Sequence, residues 1–416
     1  MQNGDSLIGE NWYNEMVIVP FPGVAHKFYL FHIGASYIPG IYYSVIDMNG
    51  SGGLGSVILK NWPLANFDTF LSCNAVKHGN GRDWWVIFKP ATLTANNSFY
   101  EFLVTPAGVS GPFIHSIGSQ SYYANFGQII FNNAANRLAL LNAKGLLELY
   151  DFDRCTGIIS NPLNISPEAT GPPYPLTWSI EFSPNDSLIY VNSIYPVATI
   201  MQVNLFDTNA WQNRDTIAYL TSSLVEGGYL KRAPDDKIYW SNAYSDGMNF
   251  NYPYDSSEYN QYNMNLSVIN NPNALGPACN FTPFSFYLGG KRTYYGLPNN
   301  PDYNMPAWEG SPCDTLTSVA VAEAAGSKSK LSLTYVSGWQ KLFVNAQGLQ
   351  GKHALLEVYD MQGNKVYGSN QPFSPTAAGG YFTAGISCSA WKSSLYLVIL
   401  LTEKEKLSAK FVKEDS

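Results

Sequence analysis

Apolar and polar positions alternate in short runs along most of the chain, and nearly every run stops at Gly, Asn, Asp or Pro. That period of two predicts strands separated by turns. Three stretches share one design, "IIFNNAANRLALLNA" (129–143), "IEFSPNDSLIYVNS" (180–193) and "LKRAPDDKIYWSN" (230–242), each a strand, a polar turn and a second strand. Phe131, Phe182 and Arg232 open the three turns, 51 and 50 residues apart. After each hairpin comes another strand and turn, "LLELYDFDRCTG", "IMQVNLFDTNAW" and "NLSVINNPNALG". Upstream, "KFYLFHIG" with "IYYSVIDMNGSGG" and "RDWWVIFK" with "FYEFLVTPAGVSG" follow the same scheme, giving five units between about residues 15 and 278.

A period near fifty residues built from four short strands is the signature of a β-propeller, in which each sheet buries its faces against its neighbours. Two end pieces remain, 1–14 and "FYLGGKRTYYGLPNN" (286–300). A closing blade assembled from both ends gives an expectation of about six or seven blades, the closing one incomplete, over residues 1–314. Residues 315–328 turn to small residues without aromatics and read as a linker. Beyond them, 329–416 shows strands about every ten residues, which predicts a small Ig-like antiparallel sandwich.

Composition supports an all-β reading. Aromatics make up 15% of the chain and charged residues only 13%, with 35 Gly and 25 Pro, a mixture suited to strands and turns rather than long helices. The net charge of -7 offers no basic footprint for nucleic acid. The longest apolar run, 395–401, has strand length, so no transmembrane segment is expected. The N-terminus carries no signal-peptide pattern, so an exported protein would need an upstream start.

Candidate chemistry is sparse. "GDSL" (4–7) matches the signature of serine esterases, but no Asp stands three positions before any of His26, His32, His78, His115 or His353, so Ser6 lacks the expected base. Gly4 and Asp5 suit a turn, and the motif reads as a decoy. The five cysteines have no CxxC spacing, which argues against zinc; Cys279 and Cys313 bracket one Pro-rich loop and are the expected disulfide. His78, Asp83 and Trp84 lie in the dense polar stretch "HGNGRDWW", readable as a ligand site or as a turn whose Asp caps the next strand. Asp151, Asp153, Asp186, Asp235 and Asp236 lie in turns without calcium-loop spacing, so no metal or cofactor is expected. "NFNYPYDSSEYNQYN" (249–263) lengthens one unit with Tyr252, Tyr254 and Tyr259, rigid rings with polar tips that suit a glycan or protein contact.

The C-terminal part resembles the sorting domain of proteins exported by the type IX secretion system. The features that carry the resemblance are "LEVYDMQGNKVY" with Asp360 and Gly363 in its turn, "SLYLVILL" with Tyr396, and the terminal "AKFVKE" with Lys410 and Lys413. The first 300 residues are similar to propeller regions of large cell-surface proteins of the same bacteria, through "VKHGNGRDWWVIF", "DFDRCTG", "FSPNDSLIYV" and "YYGLPN". The resemblance implies a secreted or cell-surface location, the type IX machinery as partner, and a non-catalytic propeller binding a glycan or protein. The alternatives are a propeller glycosidase or lyase using carboxylates on one face, and a structural segment of an adhesin.

Overall fold

A computed structural model describes residues 1–9, 14–34, 39–91, 94–121, 126–170, 176–194, 197–220, 224–244, 259–314, 329–336, 340–372 and 380–413. The chain divides into two compact units, Met1–Asp314 and Thr315–Ser416. No α-helix occurs among the described residues, and none is long and apolar enough to cross a membrane.

The first unit is a β-propeller. Blade 1 comprises β1 (Met16–Pro20), β2 (Lys27–Ile33), β3 (Ile41–Asp47) and β4 (Ser56–Ala65). Blade 2 is β5 (Asn74–Lys77), β6 (Trp84–Phe88), β7 (Asn96–Thr105) and β8 (Gly108–Ser121); blade 3 is β9 (Gly127–Phe131), β10 (Arg137–Asn142), β11 (Leu147–Phe152) and β12 (Ile159–Ser166). Blade 4 is β13 (Thr177–Phe182), β14 (Leu188–Ser193), β15 (Thr199–Asn204) and β16 (Asp215–Tyr219); blade 5 is β17 (Val225–Arg232), β18 (Ile238–Tyr244), β19 (Asn265–Ile269) and β20 (Phe281–Tyr287). Each is a meander whose neighbouring strands are consecutive in the chain and antiparallel.

Packing between blades explains why the second strands are apolar on both faces. In β10, Leu138 and Leu140 turn toward blade 2, while Ala139 and Leu141 turn toward blade 4. In β14, Ile189 and Val191 meet blade 3, and Leu188 and Tyr190 meet blade 5. Four apolar clusters thus join blades 1 to 2, 2 to 3, 3 to 4 and 4 to 5.

The repeat is also visible in the backbone. Ala135, Asp186 and Asp236, again 51 and 50 residues apart, each take a positive φ of 52°, 58° and 60° in the turn between first and second strands. Asp186 uses its position to tie blade 4 to blade 3, accepting hydrogen bonds from the Asn132 side chain (3.0 Å) and from the backbone N–H groups of Asn133 (2.9 Å) and Ala134 (3.0 Å). Replacing Asp186 with Ala removes these acceptors and places an unfavourable residue in the left-handed region, an expected loss of about 2 kcal/mol. Asp186→Asn, which tolerates that backbone, should lose less. Thermal melts of the two variants check the order.

Five complete sheets are present among the described residues, fewer than the six or seven expected. The end pieces form no further sheet there. Residues 1–9 instead run along β4: Gln2 bridges Ser56, and the side-chain amides of Asn3 and Asn61 donate to Val57 O (2.9 Å) and Ser6 O (3.0 Å). Residues 294–314 form a strap. Tyr295 packs with Trp178 and Tyr229, and its carbonyl accepts the Tyr229 N–H (2.7 Å). Farther on, Asn299 Nδ2 donates to Met16 O (3.1 Å) and Cys73 O (2.7 Å), the Tyr303 hydroxyl to Ile18 O (2.9 Å), and the Trp308 N–H to Gly79 O (2.7 Å). Pro298 and Pro301 interrupt the strap's N–H groups, which removes it as a ladder strand.

The strap also corrects the expected disulfide. Cys313 bonds Cys155 of blade 3, 158 residues away, and not Cys279. Cys279 ends a 3-10 turn, Gly276–Cys279, and is wholly buried between blades 4 and 5 as a free thiol. Sequence proximity suggested that pair; the strap's path past blades 1 and 2 carries Cys313 elsewhere.

The second unit packs β21 (Lys330–Val336), β22 (Lys341–Leu349) and β25 (Gly380–Ser387) against β23 (His353–Tyr359), β24 (Lys365–Pro372), β26 (Ser394–Leu401) and β27 (Lys406–Lys413). One core of Leu342, Val344, Leu356, Val358, Val398 and Leu400 lies between the two sheets.

Candidate functional site

The polar stretch around His78 is a joint between blades. His78 Nδ1 faces the Asn80 N–H (3.0 Å) and Nε2 lies 2.9 Å from Cys155 O. Asp83 accepts from Asn80 Nδ2 (2.7 Å) and pairs with Arg82 Nε (2.7 Å). Arg154 of blade 3 donates to Lys77 O (2.9 Å) and Pro306 O (2.7 Å), and the Trp85 indole N–H donates to Arg154 O (2.9 Å). Gly79 sits against the disulfide so closely that a Cβ would collide with both sulfurs. Trp84 is buried between blades 1 and 2 with Lys77 Nζ over its ring (5.4 Å) and Tyr303 at its edge. His78 and Asp83 therefore have polar atoms engaged within the protein, and the Trp84 ring is packed inside it.

The turn carboxylates are similarly engaged. Asp153 accepts the Cys155 N–H (2.7 Å), Asp151 the Asn161 amide (2.9 Å), Asp235 the Tyr239 hydroxyl (2.9 Å), and Asp236 pairs with Arg232 (2.8 Å). The Ser6 hydroxyl lies 3.5 Å from Asp5 on the surface and meets no histidine among the described residues. No metal-holding group of three or more His, Cys, Asp or Glu occurs among the described residues.

The aromatic side of blade 5 is partly open to solvent. Tyr252 and Tyr254 lie outside the described residues. Tyr259 is 41% exposed, and the Arg292 guanidinium stands 4.9 Å from its ring centre. Tyr262 lies parallel to Tyr244 (6.1 Å) and meets the edge of Phe284 (5.1 Å). Tyr287, at the end of β20, is 61% exposed. Exposed tyrosines offer a flat apolar face with a hydroxyl tip, the chemistry that stacks on a pyranose or a peptide side chain, and the cation over one face of Tyr259 leaves the other for such a contact.

Sequence reasoning missed one titratable pair, Glu101 and His115. Phe99 and His115 are opposed across a bulged ladder between β7 and β8, so the spacing carries no signal. Glu101 is fully buried beneath the Gly157 turn, and burial pushes its carboxyl upward. The hydrogen bond to Glu101 raises His115, whose Nε2 lies 3.3 Å away.

In the second unit, Asp360 Oδ1 accepts the N–H groups of Gln362 (3.0 Å) and Asn364 (2.8 Å), and Gly363 closes the turn at φ 81°. Asp360, Gly363 and Lys410 border a groove of about 420 Å³ floored by Leu395, Leu397 and Ile399. Tyr396 points the other way, stacked on Phe411 (5.5 Å) in the core, and Lys413 is buried.

No family description and no curated protein matches this chain. Among solved structures, it is similar to a lectin from Burkholderia pseudomallei, at 11% identity over 98% of each chain with a TM-score of 0.40. It is also similar to a candidate 6-phosphogluconolactonase from Bacteroides fragilis (10% identity, 70% of this chain and 87% of that one, TM-score 0.36). An auxiliary nutrient binding protein from Bacteroides thetaiotaomicron aligns at 8% identity over 56% of this chain and 57% of its own, with a TM-score of 0.36. Likenesses this distant carry no argument about activity; the propeller assignment rests on the five sheets.

Proposed function

We propose that Met1–Asp314 is a non-catalytic binding module that contacts a glycan through the aromatic side of blade 5, with Thr315–Ser416 as its export signal. The observation that carries the binding reading is the partly exposed Tyr259–Arg292 stack of blade 5, whose last strand also ends in exposed Tyr287. The engaged turn carboxylates favour binding over a glycosidase, whose acid and base need free oxygens facing a cleft. The export reading rests on the resemblance around Asp360, Gly363, Tyr396, Lys410 and Lys413, and it carries with it a cell-surface or secreted location and the type IX machinery as partner.

Titration of the full chain with a panel of polysaccharides, followed by calorimetry, tests the first part. Tyr259→Ala is expected to weaken the best ligand about tenfold, the scale of one lost stacking contact at a binding centre. Unchanged affinity, or hydrolysis of the ligand at enzyme-like rates, would overturn it. For export, deletion of 329–416 in the native host should leave the remainder undelivered, and normal surface delivery would refute that role.

A further inference from the structure

The ring of blades has one seam that differs from the others. Four apolar clusters join successive blades from 1 to 5, but among the described residues none joins blade 5 back to blade 1. The inner strands show the same asymmetry. Every residue of β13 is buried, whereas Met16 and Ile18 of β1 are 41% and 38% exposed on the side away from blade 2. Apolar packing therefore holds the other interfaces, and the 5-to-1 seam depends on the strap.

At that seam the strap holds blade 1 through side-chain bonds. Asn299 donates to Met16 O and Cys73 O, and Tyr303 to Ile18 O, while Lys231 Nζ of blade 5 reaches Asn300 O (3.2 Å) from the other side. Apolar anchors lie at Tyr294, Tyr295 and Leu297 on one side of this stretch and at Met305 on the other, with one ring contact within it, Tyr303 at the edge of Trp84. Beyond Met305 the run is fixed by the Trp308 and Arg154 hydrogen bonds and by the covalent bond of Cys313 to Cys155. Both cysteines are only partly buried, with the Ser311 hydroxyl 3.3 Å from each sulfur, so the bond is within reach of a reductant.

We propose that Cys155–Cys313 is a redox latch on the ring: formed, it keeps the strap taut across β1; reduced, it lets the seam between blades 1 and 5 open while blades 2 to 4 stay packed. A dithiol supplies the two electrons and two protons, leaving the thiols of Cys155 and Cys313 and becoming a disulfide itself. The Cys155–Cys313 S–S bond and the reductant's two S–H bonds break, while two cysteine S–H bonds and the reductant's own S–S bond form. Local opening of this kind needs a region with few apolar contacts, which the seam has.

Hydrogen exchange of the full chain, oxidised and after treatment with a dithiol under native conditions, tests the latch. Residues 16–20 and 298–304 are expected to exchange about tenfold faster once reduced, while 137–142 and 188–193 keep their rates. The doubly substituted Cys155→Ser, Cys313→Ser chain, provided it retains the native protection of 137–142, should show the open pattern without reductant. Unchanged exchange at 16–20 on reduction would overturn the proposal. So would equal acceleration in all five blades, which would mean global loosening.

Discussion

Truncating Trp240 to alanine is expected to lower the stability of the propeller by about 3–5 kcal/mol, the cost of removing a large aromatic from a closed core. Trp240 is wholly buried between blades 4 and 5 among Leu188, Tyr190, Ile200, Leu230 and Ile269, with the Phe281 ring 6.2 Å away. Gly227 of β17 lies so close to the indole that a Cβ there would collide with it, so the backbone has been shaped around this ring and cannot collapse fully into the space it leaves. Against a total of roughly 5–15 kcal/mol for a folded domain, such a loss would bring the transition close to ambient conditions. Trp62→Ala is the control: this side chain on β4 is 53% exposed, and its removal should cost less than about 0.5 kcal/mol. Denaturant midpoints of the two variants, followed by tryptophan fluorescence, give the comparison. Similar midpoints would mean that the interface between blades 4 and 5 is not a main source of stability.

Acid sensitivity is the second large effect, and it centres on His32. Burial in blade 1 pushes its imidazole down to about 4, with Ser44 Oγ 3.1 Å from Nε2 and Tyr42 stacked on the ring. The ordinary value is 6.5, so the unfolded chain takes up this proton first as pH falls. The contribution of His32 to stability is complete above 6.5 and is lost as pH drops toward 4. Between pH 7 and pH 5 it removes about 2 kcal/mol, and by pH 4 about 3 kcal/mol. Glu101 and His115 act in the opposite direction, since both are raised in the folded state and the stability linked to them declines as pH rises. His32→Gln should therefore flatten the acid limb and leave the alkaline limb unchanged. Urea unfolding at pH 5 and pH 7 measures this, and equal slopes for the variant and the parent chain would show that His32 does not carry the effect.

The repeating hairpins were readable because each encodes itself locally. The turns opened by Phe131, Phe182 and Arg232 contain the three left-handed residues, and alternating apolar residues on both sides follow from packing between two neighbours. The end of the propeller was not readable in this way. Residues 294–314 have no period, because they form a strap held by side chains rather than a ladder, and the closing blade expected there was an extrapolation from the preceding rhythm. The functional expectation at His78, Asp83 and Trp84 rested on local density of polar groups. Their partners, Cys155 and Tyr303, lie 77 and 219 positions downstream of His78 and Trp84, and nothing local announces them. Tyr259 was legible as an exposed aromatic, but Arg292 at its face was not.

The distance in sequence between the two linked cysteines also dictates an order of events. As the chain is made, Cys155 encounters Cys279 before Cys313 exists, so a thiol that paired on first meeting would take the wrong partner. In the finished fold Cys279 lies beneath Tyr190, sealed between blades 4 and 5, as Cys73 is sealed between blades 1 and 2. Blade assembly thus withdraws these competitors from reaction and leaves Cys155 and Cys313 as the propeller's accessible thiols. Correct pairing therefore follows from the packing of blade 1 on blade 2 and of blade 4 on blade 5, which seals the two competing thiols.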